Sequence, residues 1–336
     1  MKEKMHKTGL VGFYLMFTVM IVLVCAAQNQ ALADTNERFE QWVEALREEA
    51  LAKGIKPQIF DRATKGMDEP IERIIELDRK QPEKTISFAQ YKQRVISPAR
   101  VKQGRTLLKN HRALLDKVSR QYGVQPQYIV ALWGIETSYG NFTGGFEVIH
   151  ALATLAYDGR RSSFFRSELM DALRILQAGH IKHEDMKGSW AGAMGQNQFM
   201  PSSFHRFAVD GDKDGRRDIW TSLPDVFSST ANYLNQSGWR GDERWGREVK
   251  LPKGFDEGRI GLETTRTLEE WKTMGVRLPN GVPIPVVAGM KASLVAPDGI
   301  EGDIYLIYNN FRTLMRWNKS TYFATSVGLL ADEIVQ

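Results

Sequence analysis

The residues able to do chemistry begin with Glu136. It lies in the stretch Ile129 to Gly140, I-V-A-L-W-G-I-E-T-S-Y-G, just after Gly123 and Val124-Gln125-Pro126. There a Gly closes one helix and a Pro suits the first turn of the next. Within that helix Ile129, Leu132, Trp133 and Glu136 fall at i, i+3, i+4 and i+7, so one face carries three large apolar side chains and then a carboxylate. Desolvation on a buried stripe and the negative end of a helix both favour the protonated acid. A carboxyl that keeps its proton near neutral pH is a general acid. Read in isolation, the window is better explained by a structural Glu whose side chain reaches solvent or an arginine.

A second group is the run D-G-D-K-D-G-R-R-D from Asp210 to Asp218, which matches the first nine positions of an EF-hand calcium loop. Asp210, Asp212 and Asp214 would give carboxylate oxygens, Arg216 a backbone carbonyl, and Gly215 the sharp turn. Position twelve is Thr221 rather than a bidentate Glu, and Asp225, four residues on, could close the site instead. Asp and Gly favour turns in any case, but three spaced aspartates before a Gly favour calcium. The arginines and the missing Glu argue for a structural site rather than a sensor. His180 and His183 stand at i, i+3 without a third ligand nearby in sequence and read as surface residues.

The elements that must position these groups are mostly helices. Residues 36–53 carry Phe39, Trp42, Val43, Leu46 and Leu51 near helical spacing and end at Gly54. Ser87 to Tyr91 opens another periodic stretch, Arg100 to Tyr122 reads as one long helix stopped by Gly123, and Val148 to Tyr157 and Phe164 to Gln177 read as two more. Ser189 to Phe204 is poor in charge and rich in Gly and Ala, so its backbone can approach another helix or a ligand closely. Gln196, Asn197 and Gln198 beside Trp190 and Phe199 resemble a carbohydrate cleft, with a tightly packed core helix as the equal alternative. From about residue 250 to 308, prolines punctuate short β-branched runs such as Ile304-Tyr305-Leu306-Ile307, which predicts a small β subdomain. Ser320 to Val335 returns to helix, so the class is mainly α with a minor β insertion.

The chain has 336 residues and a formal net charge of +5, with basic residues scattered rather than clustered, so charge alone does not argue for nucleic acid. Lys2, Lys4 and Lys7 precede an apolar run from Leu10 to Ala27, and Ala31-Leu32-Ala33 gives an A-x-A site before Asp34. Residues 1–33 therefore read as a secretory signal peptide, with an uncleaved membrane anchor as the lesser alternative. The single cysteine, Cys25, lacks a lipobox before it and would leave with the leader, which excludes disulfides and thiol catalysis from the mature chain. Residues 34–336 would then form an exported, periplasmic domain.

Five motifs occur in order: W-G-I-E-T-S-Y-G (Trp133 to Gly140), A-L-A-T-L-A-Y-D-G-R-R (Ala151 to Arg161), G-S-W-A-G-A-M-G-Q-N-Q-F-M-P-S-S (Gly188 to Ser203), the aspartate loop, and N-N-F-R-T-L-M-R-W-N-K-S (Asn309 to Ser320). Together they resemble the membrane-bound lytic murein transglycosylase B family, glycoside hydrolase family 103, from about residue 36 to the C-terminus. The resemblance implies a lysozyme-like α core with flanking α and β subdomains. It also implies cleavage of peptidoglycan between N-acetylmuramic acid (MurNAc) and N-acetylglucosamine (GlcNAc), leaving 1,6-anhydro ends, with peptidoglycan strands as the partner. Glu136 matches that family's single catalytic carboxylate, whereas most glycosidases need two. Tyr91, Ser189, Gln198, Tyr233 and Asn318 match cleft residues that hold the sugars or the acetamido group. Asp210, Asp212, Asp214, Arg216 through its carbonyl, and Asp225 match calcium ligands. An extra residue between Trp220 and Asp225 leaves the last ligand open between Asp218 and Asp225, and Asp158-Gly159 replaces the aromatic-Pro pair that often precedes the two arginines. The alternative from another class is a non-catalytic peptidoglycan-binding or scaffold protein on the same fold, which gives Glu136 no role.

Overall fold

The computed structural model describes residues 38–80 and 86–336, so the signal peptide expected over residues 1–33 lies outside the described residues. Helix α1 covers 38–52 and buries Phe39, Leu46 and Ala50. It is followed by α2 (Pro57–Ala63), α3 (Glu72–Arg79) and α4 (Phe88–Val95), the last opened by a capping box on Ser87. The long helix expected over Arg100 to Tyr122 is two helices, α5 (Pro98–Asn110) and α6 (Arg112–Tyr122). The break falls at His111, whose ring turns inward to pack edge-on against Trp133 and Phe227, with centroids 6.2 and 5.9 Å away.

Helix α7 (Pro126–Thr137) is the structural axis. Its spacing predicts one buried face, yet every residue from Tyr128 to Gly134 is buried. The reason is tertiary: α5, α6, α11 (Leu223–Gln236) and α14 (Thr321–Val335) all pack on it. A helix hydrophobic all round belongs in the middle of a core rather than on its surface. Glu136 therefore emerges at the end of a fully enclosed helix.

Helices α8 (Val148–Tyr157) and α9 (Ser162–Gln177) form a packed pair beside this core. Buried Asp78 of α3 joins them: Arg160 and Arg161 both donate to its carboxylate at 2.6 Å. In the turn before those arginines, Asp158 pairs with Arg79 at 2.8 Å. Strands β1 (Phe146–Glu147) and β2 (Lys187–Gly188) pair antiparallel, and the segment after β2 reaches α10 (Pro201–Phe207) through turns. The core helix considered for Ser189 to Phe204 is thus confined to its last residues.

The remaining strands, β3 (Gly246–Val249), β4 (Gly261–Thr267), β5 (Lys291–Val295) and β6 (Ile304–Ile307), form one antiparallel sheet in the order β3-β6-β5-β4, with α12 (Leu268–Thr273) following β4. All four residues of β6 are buried because the strand lies between two cores. Ile304 and Leu306 enter a small cluster with Trp271 and Leu294, while Tyr305 and Ile307 enter the main helical core. The two-residue period of a strand divides its side chains between the layers. Helix α13 (Asn309–Trp317) follows β6 directly, and α14 completes the chain. Among the described residues, no helix is long and apolar enough to cross a membrane.

Candidate active site

Glu136 is the penultimate residue of α7 and is only partly accessible. The chain turns sharply after it. Ser138 and Tyr139 both adopt left-handed backbone conformations, with φ of 48° and 60°. Non-glycine residues there carry strain that surrounding contacts must hold. Arg100 supplies them: its guanidinium donates to Ser138 Oγ at 2.9 Å, and Tyr139 Oη donates to its carbonyl at 2.8 Å. Tyr139 folds back over Gly134, where a Cβ would stand 2.7 Å from the ring, so only glycine fits in α7 at that point.

The wall facing Glu136 comes from α13, distant in sequence. Trp317 Nε1 donates to Glu136 Oε1 at 2.7 Å. The indole packs on Phe199 (5.3 Å) and Tyr233 (4.6 Å), and Tyr233 in turn lies tilted against Phe207 at 4.2 Å. The phenol of Tyr233 donates to the Arg316 carbonyl at 2.7 Å, fixing the end of the helix that carries Trp317. This aromatic surround removes water from the carboxyl. Burial pushes the Glu136 acid up from 4.5 to about 7, partly offset by the Trp317 hydrogen bond, which favours the carboxylate. Among the described residues no cation pairs with Glu136.

The other sequence candidates fall around this centre in different ways. Asn318 follows Trp317 as the α13 C-cap, is exposed, and accepts from Ser320 N. Ser189 is half-buried and accepts from Ala193 N at 3.1 Å. Gln198 has a left-handed backbone (φ 51°) and ties the loop by donating to the Thr143 and Gly195 carbonyls. Tyr91 on α4 packs against Tyr322 with centroids 5.8 Å apart. Two of the three amides grouped as a cleft prove to be internal. Gln196 accepts from Trp133 Nε1 at 2.7 Å and donates to the Trp220 carbonyl, and Asn197 donates to Val226 O and Thr230 Oγ1. Both are buried, and their amides are taken up by polar groups of α7, α11 and the Trp220 backbone. Trp317 is the residue the sequence reading passed over, although it stands beside Asn318 in a motif already singled out.

In the aspartate loop, carboxylate oxygens of Asp210, Asp212 and Asp214 lie within 4.8 Å of one another. Burial alone would raise the Asp210 carboxyl, but the amides of Gly215, Lys213 and Asp214 outweigh it and hold it below its ordinary value. Oxygen donors of this number and charge suit a hard cation such as calcium. Neither Asp218 nor Asp225 belongs to that trio. Asp225 is buried at the start of α11 and accepts from Gly211 N (2.7 Å) and Asp218 N (2.6 Å), while Asp218 Oδ1 accepts from Trp220 N and Thr221 N. These two carboxylates brace the loop internally. The histidines taken as surface residues are half-buried instead, since His180 Nδ1 accepts from Arg217 N and binds the loop to the end of α9.

Comparison with known proteins accords with this geometry. Residues 38–332 match the family model described as the transglycosylase SLT domain. The chain is 32% identical over 255 residues to membrane-bound lytic murein transglycosylase B of Escherichia coli K12, covering 74% of this chain and 67% of that one. Among solved structures, SltB3 from Pseudomonas aeruginosa in complex with NAG-NAM-pentapeptide is 46% identical, with a TM-score of 0.86 over 88% of this chain and 79% of that one. Slt35, an E. coli lytic transglycosylase solved in complex with calcium, is 27% identical, with a TM-score of 0.75 over 87% and 92% of the two chains. Matched along almost all of its described length, the chain belongs to the SLT lytic transglycosylases and is an enzyme of that family.

Proposed function

We propose that this lytic transglycosylase cleaves the β-1,4 bond between MurNAc and GlcNAc of peptidoglycan, with Glu136 as its single catalytic carboxylate. The observation that carries the reading is a half-buried acid with its pKa raised to about 7, bonded among the described residues to Trp317 through Oε1. Trp317 Nε1 can only donate, so it occupies Oε1 and leaves the proton of the neutral acid on Oε2. Glu136 delivers that proton to the glycosidic oxygen as the bond from the muramic C1 breaks. The muramic N-acetyl group assists from below in place of an enzyme nucleophile. The carboxylate then takes the proton of the muramic 6-hydroxyl as O6 bonds to C1 and displaces the acetamido oxygen from it, closing the 1,6-anhydro ring. No water is consumed, and Glu136 ends protonated, ready for another cycle. Tyr91, Ser189, Gln198, Tyr233 and Asn318 are the residues we assign to the sugars and the acetamido group, Tyr233 chiefly by holding α13.

Trp317→Phe tests the proton assignment, since it keeps the ring on Phe199 and Tyr233 but removes the donor. The lost bond favoured the carboxylate, so the Glu136 pKa rises and the basic limb of the kcat/KM profile moves to higher pH. The rate itself falls about ten- to hundredfold, the worth of a hydrogen bond to a charged group. Trp317→Tyr, which restores a donor, should recover part of it. A pH profile unchanged in Trp317→Phe would show that the bond plays no part.

Calcium fits the trio Asp210, Asp212 and Asp214, with the Arg216 carbonyl as a further donor and Asp225 or Asp218 as the closing group. Its role here is structural: it would neutralise three converging carboxylates and stiffen the loop that meets α9 and α11. Calcium at a hundred times its Kd would stabilise the fold by about 2.7 kcal/mol, a Tm rise of about 5 °C for a domain of this size. Asp212→Asn should lose that rise. Identical melting curves with calcium and with chelator would remove the site. We assign the protein to the periplasm, where its substrate lies, by way of the leader expected over residues 1–33.

A further inference from the structure

The turn between β5 and β6, residues 296–303, has no part in the chemistry above, yet it holds the helix that carries Tyr91. Asp298 in this turn accepts from Phe88 N at 2.5 Å through Oδ1 and from Ala89 N at 2.8 Å through Oδ2. Those are the first two amides of α4, and the third, Gln90 N, is taken by Ser87 Oγ. Three donors left orphaned at a helix start are thus satisfied, two of them by a residue distant in sequence. The carboxylate also faces the positive end of the helix dipole. One turn further on, Lys92 pairs with Asp303 of the same turn at 2.5 Å and holds its carboxyl below the ordinary value.

An eight-residue helix is too short to sustain itself, so such contacts decide where α4 lies. Its two ends are tied to different parts of the molecule. Near the first, buried Phe88 and half-buried Tyr91 meet the ring of Tyr322 at 5.2 and 5.8 Å, five residues after Trp317 in the chain. At the last, the Val95 carbonyl accepts from Arg100 at 2.5 Å, and the same guanidinium donates to Ser138 in the turn after Glu136. Helix α4 is a strut between the β5–β6 turn and the catalytic turn, with Tyr91 at its middle.

Resting on the function proposed above, we propose that Asp298 is a positioning residue of this enzyme, which sets Tyr91 against the sugar by capping α4 from the β subdomain. It acts through Tyr91 and not on the sugar itself. Without the cap the first turn of α4 frays, fewer molecules hold Tyr91 in place, and apparent affinity falls with that fraction. The tie from Val95 to Arg100 lies at the far end of the helix and outlasts the change. Asp298 therefore governs binding rather than the chemical step, and the β subdomain gains a part in substrate recognition.

Steady-state kinetics on soluble glycan strands test this with Asp298→Ala, Asp298→Asn, Tyr91→Ala and the double variant Y91A/D298A. Asp298→Ala should raise KM about fivefold, the worth of one helix cap, at unchanged kcat. Asp298→Asn, which can still accept one amide, should fall between it and the parent. In the double variant KM should be no higher than in Tyr91→Ala alone, because the two losses act through one side chain. A KM unmoved by Asp298→Ala, whatever happens to its Tm, would make the cap merely structural and overturn the proposal. So would KM effects that multiply in the double variant, or a Tyr91→Ala protein with the KM of the parent. If Asp298→Ala does not fold, Asp298→Asn is read against the same outcomes. The catalytic reading fails on a separate result, undiminished release of anhydro ends by Glu136→Gln, so the two failures are distinguishable.

Discussion

Glu136→Gln should lower release of 1,6-anhydromuropeptides from purified sacculi by at least about 10³-fold, the upper range for a positioned acid that must also act as base. The amide keeps the size of the carboxyl and can still accept from Trp317 through its oxygen, so the fold and the aromatic wall persist. It can neither deliver a proton to a leaving oxygen nor remove one from the 6-hydroxyl. Both halves of the reaction therefore stop at one substitution. Mass spectrometry of the products decides the matter, and anhydro ends released at an undiminished rate would assign the chemistry elsewhere.

The same variant carries a stability signature. The folded-state pKa of Glu136 lies near 7 against 4.5 for the free side chain, so the native protein binds the extra proton between those values. For an acid with a raised pKa, stability is highest below about pH 4.5, falls as pH rises through the interval, and is flat above about 7. Ionising this carboxyl in the fold costs up to about 3 kcal/mol at alkaline pH. Gln has no proton to lose and escapes that cost. Its Tm should equal the parent's near pH 4 and exceed it by a margin that opens between pH 5 and 7. A margin independent of pH would mean that Glu136 titrates as an exposed acid. In the parent, kcat/KM should decline through about pH 7 as the acid ionises.

Glu136 was legible in the sequence because its position depends on one helix and a 3.6-residue period. The depth of that helix was not. Its amphipathic spacing vanishes once α5, α6, α11 and α14 close over it, a matter of contacts between distant segments. Trp317 escaped for the same reason, being 181 residues from its partner. Gln196 and Asn197 misled because amides beside aromatics suit both a sugar cleft and a buried backbone carbonyl, and composition does not say which faces them. His111 hid the break between α5 and α6, since neither Gly nor Pro marks it and the cause is the aromatic pocket of Trp133 and Phe227. The aspartate loop is local, so the convergence of Asp210, Asp212 and Asp214 could be read, whereas the surroundings of Asp218 and Asp225 depend on how α11 enters.

Gly328→Ala should destabilise the protein by at least about 2 kcal/mol, although Ala is the better helix former by about 1 kcal/mol. A Cβ at this position on α14 would lie 2.1 Å from the Trp245 ring. That ring has no room to withdraw. It is fully buried, packs on Tyr305 and Phe311 at 5.7 and 6.2 Å, and its Nε1 donates to Asp332 at 2.9 Å. Overpacking of such a site costs up to about 3 kcal/mol or more, which exceeds the gain in helix propensity. The effect should reach catalysis, because Phe311 belongs to α13 and that helix ends in Trp317. Denaturant melts should show a lower midpoint at an unchanged slope, and activity should fall with it. In the double variant G328A/W245A, which removes the ring, the combined loss should be well short of the sum of the two single losses, a coupling expected only of side chains in direct contact. If Gly328→Ala alone raised the midpoint, close packing of α14 on Trp245 would be excluded as the reason for glycine there.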